Sequence, residues 1–257
     1  MRKFAIVTGA SSGIGLEIAK LAAKDGYDLL VAADTPFVDA AAGLNDLGVE
    51  VRQIECDLST EQGVDQLLDA AGGRDIDVLV ANAGQAHGGP FLDQEKGSWV
   101  TTIDTNVTGT LRLIQPVLRS MVARGEGRLL ITGSIAGHVP GPLNATYNAT
   151  KAFIDNFAAA IANELKDSGV TVTCLKPGAT ETAFFARADM EDTNVGRAKK
   201  ADPADVAETG WKALMKGDPV VVHGFMNQAT VLAAGVVPES VTAEMHRKMA
   251  APASSEK

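Results

Sequence analysis

Short apolar runs of strand character alternate with stretches of helical periodicity along most of the 257 residues, and this alternation limits the fold more than any other feature. The strand-like runs are Lys3–Val7, Asp28–Ala33, Val49–Glu55, Ile76–Val80, Arg128–Thr132, Val170–Leu175 and Pro219–Val222. Between them lie helical spacings at Leu16–Lys24, Val38–Leu47, Thr60–Ala71, Ser98–Val122, Ala145–Lys166 and Asp202–Lys216. Parallel neighbours need a crossover between them, and helices supply it. The rhythm therefore predicts an α/β chain built of βαβ units, a doubly wound parallel sheet of about seven strands with helices on both faces.

No linker or shift in composition divides the chain, so residues 1–257 are expected to form one domain. Residues 180–200 are a long mixed-charge connection containing Phe184, Phe185 and Met190, and connections of that length are usually lids. Pro116 interrupts the longest helical stretch and marks a point where it kinks or restarts. Residues 226–257 read as a C-terminal extension, one or two helices about Pro238 packing on the domain or on a partner, with a frayed tail from Pro252.

A net charge of −9 argues against binding nucleic acid or an anionic membrane surface. The start, MRKFAIVTGA, is neither a signal peptide nor a membrane span, so the cytoplasm is the expected location. Cys56 and Cys174 sit beside apolar runs, as buried small hydrophobes do, and no cysteine or histidine spacing suggests a metal.

Two stretches carry chemistry. The turn Thr8–Gly15 joins the first strand to the first helix, the setting in which glycines cradle a phosphate. Gly9 allows the tight turn, and Gly13 and Gly15 allow close approach of a pyrophosphate. Backbone N–H groups at Ser11, Ser12, Gly13 and Ile14 are then free to donate at a helix N-terminus. Near the fifth strand, Ser134 precedes a loop that leads to Tyr147 and Lys151, one helical turn apart and on one face. An ammonium beside a phenol favours the phenolate and suits the tyrosine to proton transfer.

In order and spacing, Thr8–Gly15, Asp57, Asn82-Ala83-Gly84, Asn106, Ser134, Tyr147-xxx-Lys151 and Pro177-Gly178 with Thr182 resemble the short-chain dehydrogenase/reductase family over residues 3–225. The resemblance implies a Rossmann-type fold and an NAD(P)-dependent oxidoreductase acting on a ketone, aldehyde or secondary alcohol. It implies that Tyr147 is the acid or base, that Lys151 lowers its pKa and binds the ribose, and that Ser134 bonds the substrate oxygen. Asn106 would hold a water that relays protons. Asp57 and Leu58 would meet adenine, Asn82, Ala83 and Gly84 the cofactor, and Pro177, Gly178, Thr180 and Thr182 the nicotinamide. Ala81 stands where the family's first Asn is common. A homodimer or homotetramer through the helices Ser98–Val122 and Ala145–Lys166 is also implied, with Phe153, Phe157 and Ile161 on the second.

Asp34, after the second strand, can accept from ribose hydroxyls and would repel a 2′-phosphate. With no Arg or Lys within 32–39 or 9–16, NAD(H) is favoured over NADP(H), although Ala33 occupies the position where the family's acidic residue is usual. The substrate pocket is expected to draw on Gln85, His87, Ala136, His138, Val139, Asn144, Phe184 and Phe185, with His223 and His246 further off. A cofactor-binding redox sensor without turnover and an adenosylmethionine-dependent transferase remain alternatives. The first would typically lack Tyr147 or Lys151, and the second has no use for them.

Overall fold

The computed structural model describes residues 2–37, 43–44 and 47–253. Its centre is a seven-stranded, wholly parallel sheet: β1 (Phe4–Thr8), β2 (Asp28–Ala33), β3 (Val51–Glu55), β4 (Val78–Ala81), β5 (Gly127–Thr132), β6 (Val170–Lys176) and β7 (Val220–Val222). The spatial order is β3-β2-β1-β4-β5-β6-β7. β1, β2 and β4 are buried along their whole length, as strands covered on both faces must be, whereas β3 and β7 form the partly exposed edges.

One apolar layer packs β1, β4 and β5 against α2 (Glu61–Ala70), α4 (Thr110–Arg124) and α5 (Ala145–Glu164). The opposite layer joins the sheet to α1 (Gly13–Lys24) and α8 (Pro203–Lys216). Both cores are aliphatic, with small residues such as Ala19, Ala22 and Ala207 letting helices lie close to the sheet. Thr60 caps α2 by accepting from Gly63 N–H at 3.0 Å, and Asp202 caps α8 through Ala204. The helix expected over 38–47 falls largely outside the described residues.

Two expectations need correction. The stretch with Pro116 does not restart there, since Pro116 lies inside α4. The irregularity comes earlier: α3 (Lys96–Ile103) passes through a π-helical segment, Asp104–Gly109, before α4 begins. An added residue in one turn re-aims the side chains it carries, and Asn106 is among them. The tail is not frayed at its start, because Pro252 forms a bridge with Thr193 and Ala253 N–H donates to Asp192 at 2.8 Å.

The lid holds two single-turn helices, α6 (Phe184–Arg187) and α7 (Asn194–Arg197), and the extension forms α9 (Phe225–Ala234) and α10 (Glu239–Ala250). Among the described residues, no helix is long and apolar enough to cross a membrane.

Gly109 closes the π segment against the backbone of the β3–α2 connection, where any Cβ would meet the Leu58 carbonyl oxygen. Overpacking against backbone costs about 1–3 kcal/mol. Gly109→Ala is therefore expected to lower the melting midpoint by roughly 2–12 °C. Gly97→Ala, in α3 with open space around it, should raise it slightly by calorimetry.

Candidate active site

The sheet order reverses between β1 and β4, and ligands of open α/β sheets bind at the carboxyl ends of strands beside such a reversal. Hydrogen bonds hold those ends in register. Thr8 Oγ1 accepts from the backbone N–H groups of Asn82 and Ala83, both at 3.0 Å. Asn82 Nδ2 donates back to Thr8 O at 3.0 Å, and Asn82 Oδ1 accepts from Thr132 Oγ1 at 3.0 Å. Three strand ends are thereby tied to one half-buried amide.

A cavity of about 410 Å³ opens over these ends, within the size range of small-molecule and cofactor sites. Gly9, Ser12, Gly13 and Ile14 form one wall, and Asn82, Ala83 and Gly84 another. Ser134, Tyr147, Lys151, Pro177, Gly178, Thr180 and Thr182, also expected from sequence, line it as well. Asp34, Asp57 and Leu58 line a smaller adjoining chamber. Ser11 and Gly15 stand behind these linings: Ser11 Oγ pairs with Thr35 Oγ1 at 2.9 Å, and Gly15 packs on Gly9.

The turn fits a dinucleotide. Gly9 and Gly13 have φ of 64° and 60°, which side chains resist, and a Cβ on Gly13 would lie 2.7 Å from the Thr182 methyl. The cradle is therefore open only because these positions lack side chains, as close approach of a pyrophosphate requires.

Ser134 and Lys151 are buried and Tyr147 is half-buried. Ser134 Oγ accepts from Ala136 N–H at 3.1 Å and donates to Pro177 O at 3.5 Å, and it lines the same cavity as the Tyr147 phenol. Lys151 donates to the Thr132 carbonyl at 2.7 Å, leaving its ammonium nitrogen 5.7 Å from the Tyr147 ring centre. The tyrosine pKa differs from expectation. Burial pushes the phenol up to about 12, the Ser134 hydroxyl pulling the other way. Burial likewise lowers Lys151 to about 8. Removal from water disfavours the charged form of each, and here it outweighs the attraction expected of the pair.

The Asn106 side chain is fully engaged within the fold. Its Oδ1 accepts from Gln85 N–H at 2.8 Å, while Nδ2 donates to Gln85 O and Thr150 Oγ1, both at 2.9 Å. With both N–H groups and the oxygen engaged, the side chain fastens the loop after β4 to the turn of α5 between Tyr147 and Lys151.

Behind Ser134 sits a buried polar group. Asp155 Oδ1 accepts from Ser134 N–H at 3.4 Å, and Lys176 Nζ stands 3.3 Å from Oδ2, an ion pair without hydrogen-bond alignment. His138 lies 3.0 Å from Lys176, and burial lowers its pKa, which keeps the ring neutral. Burial raises both thiols, Cys56 to about 11 and Cys174 to about 12, so neither is reactive.

Of the expected pocket residues, Ala136, Val139, Asn144, Phe184 and Phe185 line the large cavity. Three others turn elsewhere: Gln85 bonds Asp34 at 3.0 Å, His87 pairs with Thr102, and His138 with Lys176. His246, placed far from the site by sequence, lines the cavity because α10 folds back and its Nδ1 meets Pro142 O at 3.2 Å. Asn227, Thr230 and Met249 from the same extension were missed, as were Met190 and Val195 of the lid. Leu143, at φ 67°, precedes Asn144, whose buried Oδ1 has no hydrogen-bond partner. The lid's apolar cluster of Phe185, Ala188 and Met190 includes Phe184, whose ring centre is 5.3 Å from that of Tyr147.

Residues 3–193 match the short chain dehydrogenase family. An uncharacterized oxidoreductase of Staphylococcus epidermidis is 32% identical over 224 residues, 86% of this chain and 94% of that protein. A short-chain dehydrogenase from Sphingobium yanoikuyae in complex with NADPH superposes with a TM-score of 0.80 at 26% identity, covering 93% of this chain and 97% of that one. Acetoin dehydrogenase from Salmonella typhimurium gives 0.73 at 27% identity, over 88% and 96% of the two chains.

A lysine at about 8 when folded and 10.5 when exposed makes stability rise with pH between those values, because the folded chain has released a proton that the unfolded chain keeps. Between pH 8 and 10, below the range where Tyr147 acts oppositely, this contributes about 2–3 kcal/mol. Urea titrations should show that rise in the wild type and its loss in Lys151→Met.

Proposed function

The chain belongs to the short-chain dehydrogenase family of NAD(P)-dependent oxidoreductases, and we propose that it moves hydride between the nicotinamide cofactor and a ketone, aldehyde or secondary alcohol through Ser134, Tyr147, Lys151 and Asn106. The observation carrying this reading is that Ser134, Tyr147 and Lys151 line the same cavity as the glycine cradle, with the Lys151 ammonium 5.7 Å from the Tyr147 ring centre.

When bound, the nicotinamide supplies or accepts the hydride. The chain's own groups handle the oxygen and its proton. A carbonyl carbon that gains hydride leaves an alkoxide, which needs a hydrogen-bond donor and then a proton. Ser134 Oγ–H is the donor. Tyr147, with a phenol raised to about 12, stays protonated at neutral pH and hands its proton to that oxygen. Lys151, near 8, is charged at neutral pH, stabilises the phenolate left behind and is a source for its reprotonation. Asn106 is a positioning residue that holds the turn carrying both groups. Phe184 and its neighbours shield the site from water, which strengthens these interactions.

Gly9, Ser12, Gly13 and Ile14 would hold the pyrophosphate, with Asp57 and Leu58 at adenine and Pro177, Gly178, Thr180 and Thr182 at the nicotinamide. Asp34, placed to accept from ribose hydroxyls, supports NAD(H) as the preferred form. A largely apolar lining with few cations suits a neutral substrate. Phe153, exposed at 44% and stacked on Phe157, supports a homodimer or homotetramer through α5.

Two measurements test the mechanism. Tyr147→Phe should lower NADH-dependent reduction of a carbonyl panel at least a hundredfold while nucleotide fluorescence still reports binding; binding without turnover in the wild type would favour the redox-sensor reading instead. Wild-type reduction should decline as pH rises through about 8, where Lys151 loses its proton. A flat profile from pH 6 to 10 would remove the lysine from proton supply.

A further inference from the structure

The two cavities meet at a single side chain from the lid. Arg187, the last residue of α6, lines both. Its Nη1 stands 3.7 Å from Asp34 Oδ1, while Gln85 Nε2 donates to Asp34 Oδ2 at 3.0 Å. Three elements that are distant in sequence, the end of β2, the loop after β4 and the lid, thus converge on one carboxylate.

Asp34 follows β2 at the carboxyl edge of the sheet. In a dinucleotide-binding α/β sheet this is where the adenosine ribose is read: an acidic group takes the free 2′-hydroxyl, and a guanidinium takes a 2′-phosphate. The chamber beside Asp34 has a volume of about 30 Å³, room for a water and too small for an adenosine. Asp34 and Asp57 line it, and Arg187 is the one cation among the described residues that do so. Arg187 and Gln85 both line this chamber and both contact Asp34. The ion pair is exposed, at 46% for the arginine side chain and 37% for the aspartate, and 3.7 Å is beyond hydrogen-bond reach. Such a pair is weak and readily exchanged. A guanidinium released from a carboxylate can meet a phosphate with two parallel N–H donors, which is the stronger match.

We propose that Arg187 is the cofactor-selecting residue of this chain: a guanidinium carried by the lid, which leaves Asp34 for the 2′-phosphate and so admits NADP(H) beside NAD(H). The selection is divided between two elements. Asp34 on the sheet favours the free ribose, and Arg187 on the lid offsets its repulsion of the phosphorylated one. This rests on the oxidoreductase reading above.

Dissociation constants for NADH and NADPH, measured by the change in nucleotide fluorescence on the full chain, test it without reference to turnover. The wild type should bind both. Arg187→Ala should weaken NADPH relative to NADH at least tenfold, Arg187→Lys should recover part of that loss, and Asp34→Asn should move the ratio towards NADPH. An Arg187→Ala ratio within twofold of wild type overturns the proposal, as does a wild type that binds NADH and no NADPH. In both cases the oxidoreductase reading stands. A wild type that binds neither nucleotide overturns both.

Discussion

The amide of Asn82 is the interaction on which the site depends. It ties the ends of β1 and β5 to β4 with donors and an acceptor that are removed from most solvent, and Thr8 returns the contact through its own hydroxyl. Each such bond is worth only about 1 kcal/mol net. Leaving one of these groups unpaired would cost more, about 1–3 kcal/mol. The glycine turn therefore leaves β1 with a fixed aim. The cradle, the Asn82–Gly84 wall and the Ser134 strand end all take their places from that knot.

Burial does the electrostatic tuning. The same dry setting raises Tyr147 and lowers Lys151, so a neutral phenol sits beside an ammonium that gives up its proton more readily than one in water. A charged lysine buried in the site opposes folding at neutral pH, a cost that the catalytic use proposed for it would explain. Asn106 and Asp155 hold the two sides of this pair, one through Gln85 and Thr150, the other through the Ser134 amide.

The succession of strands and helices, the glycine turn and the Tyr147–Lys151 face were legible because each is written in local periodicity or in short spacing along the chain. The π segment was not: apolar residues at Ile103, Val107, Leu111 and Ile114 keep spacings of three and four on either side of it, so one extra residue in a turn leaves no mark on the pattern. Gln85 and His246 were misplaced for another reason. Their partners, Asp34 and Pro142, are 51 and 104 residues away, and no periodicity encodes where a lid or a terminal helix will lie. The pKa of Tyr147 was read from its neighbour's charge, whereas depth in the fold decides it.

Residues 251–253, of which Pro252 and Ala253 read from sequence as the start of a frayed tail, bond to the middle of the lid at Asn194, Thr193 and Asp192. The segment that shapes the pocket is thus anchored to the part of the chain most easily changed. Lengthening, trimming or rewriting the last helix would alter the ceiling of the pocket without touching the sheet, the cradle or the tyrosine. In evolution, and equally in the laboratory, a chain built this way can change which substrates it admits by edits at its terminus alone.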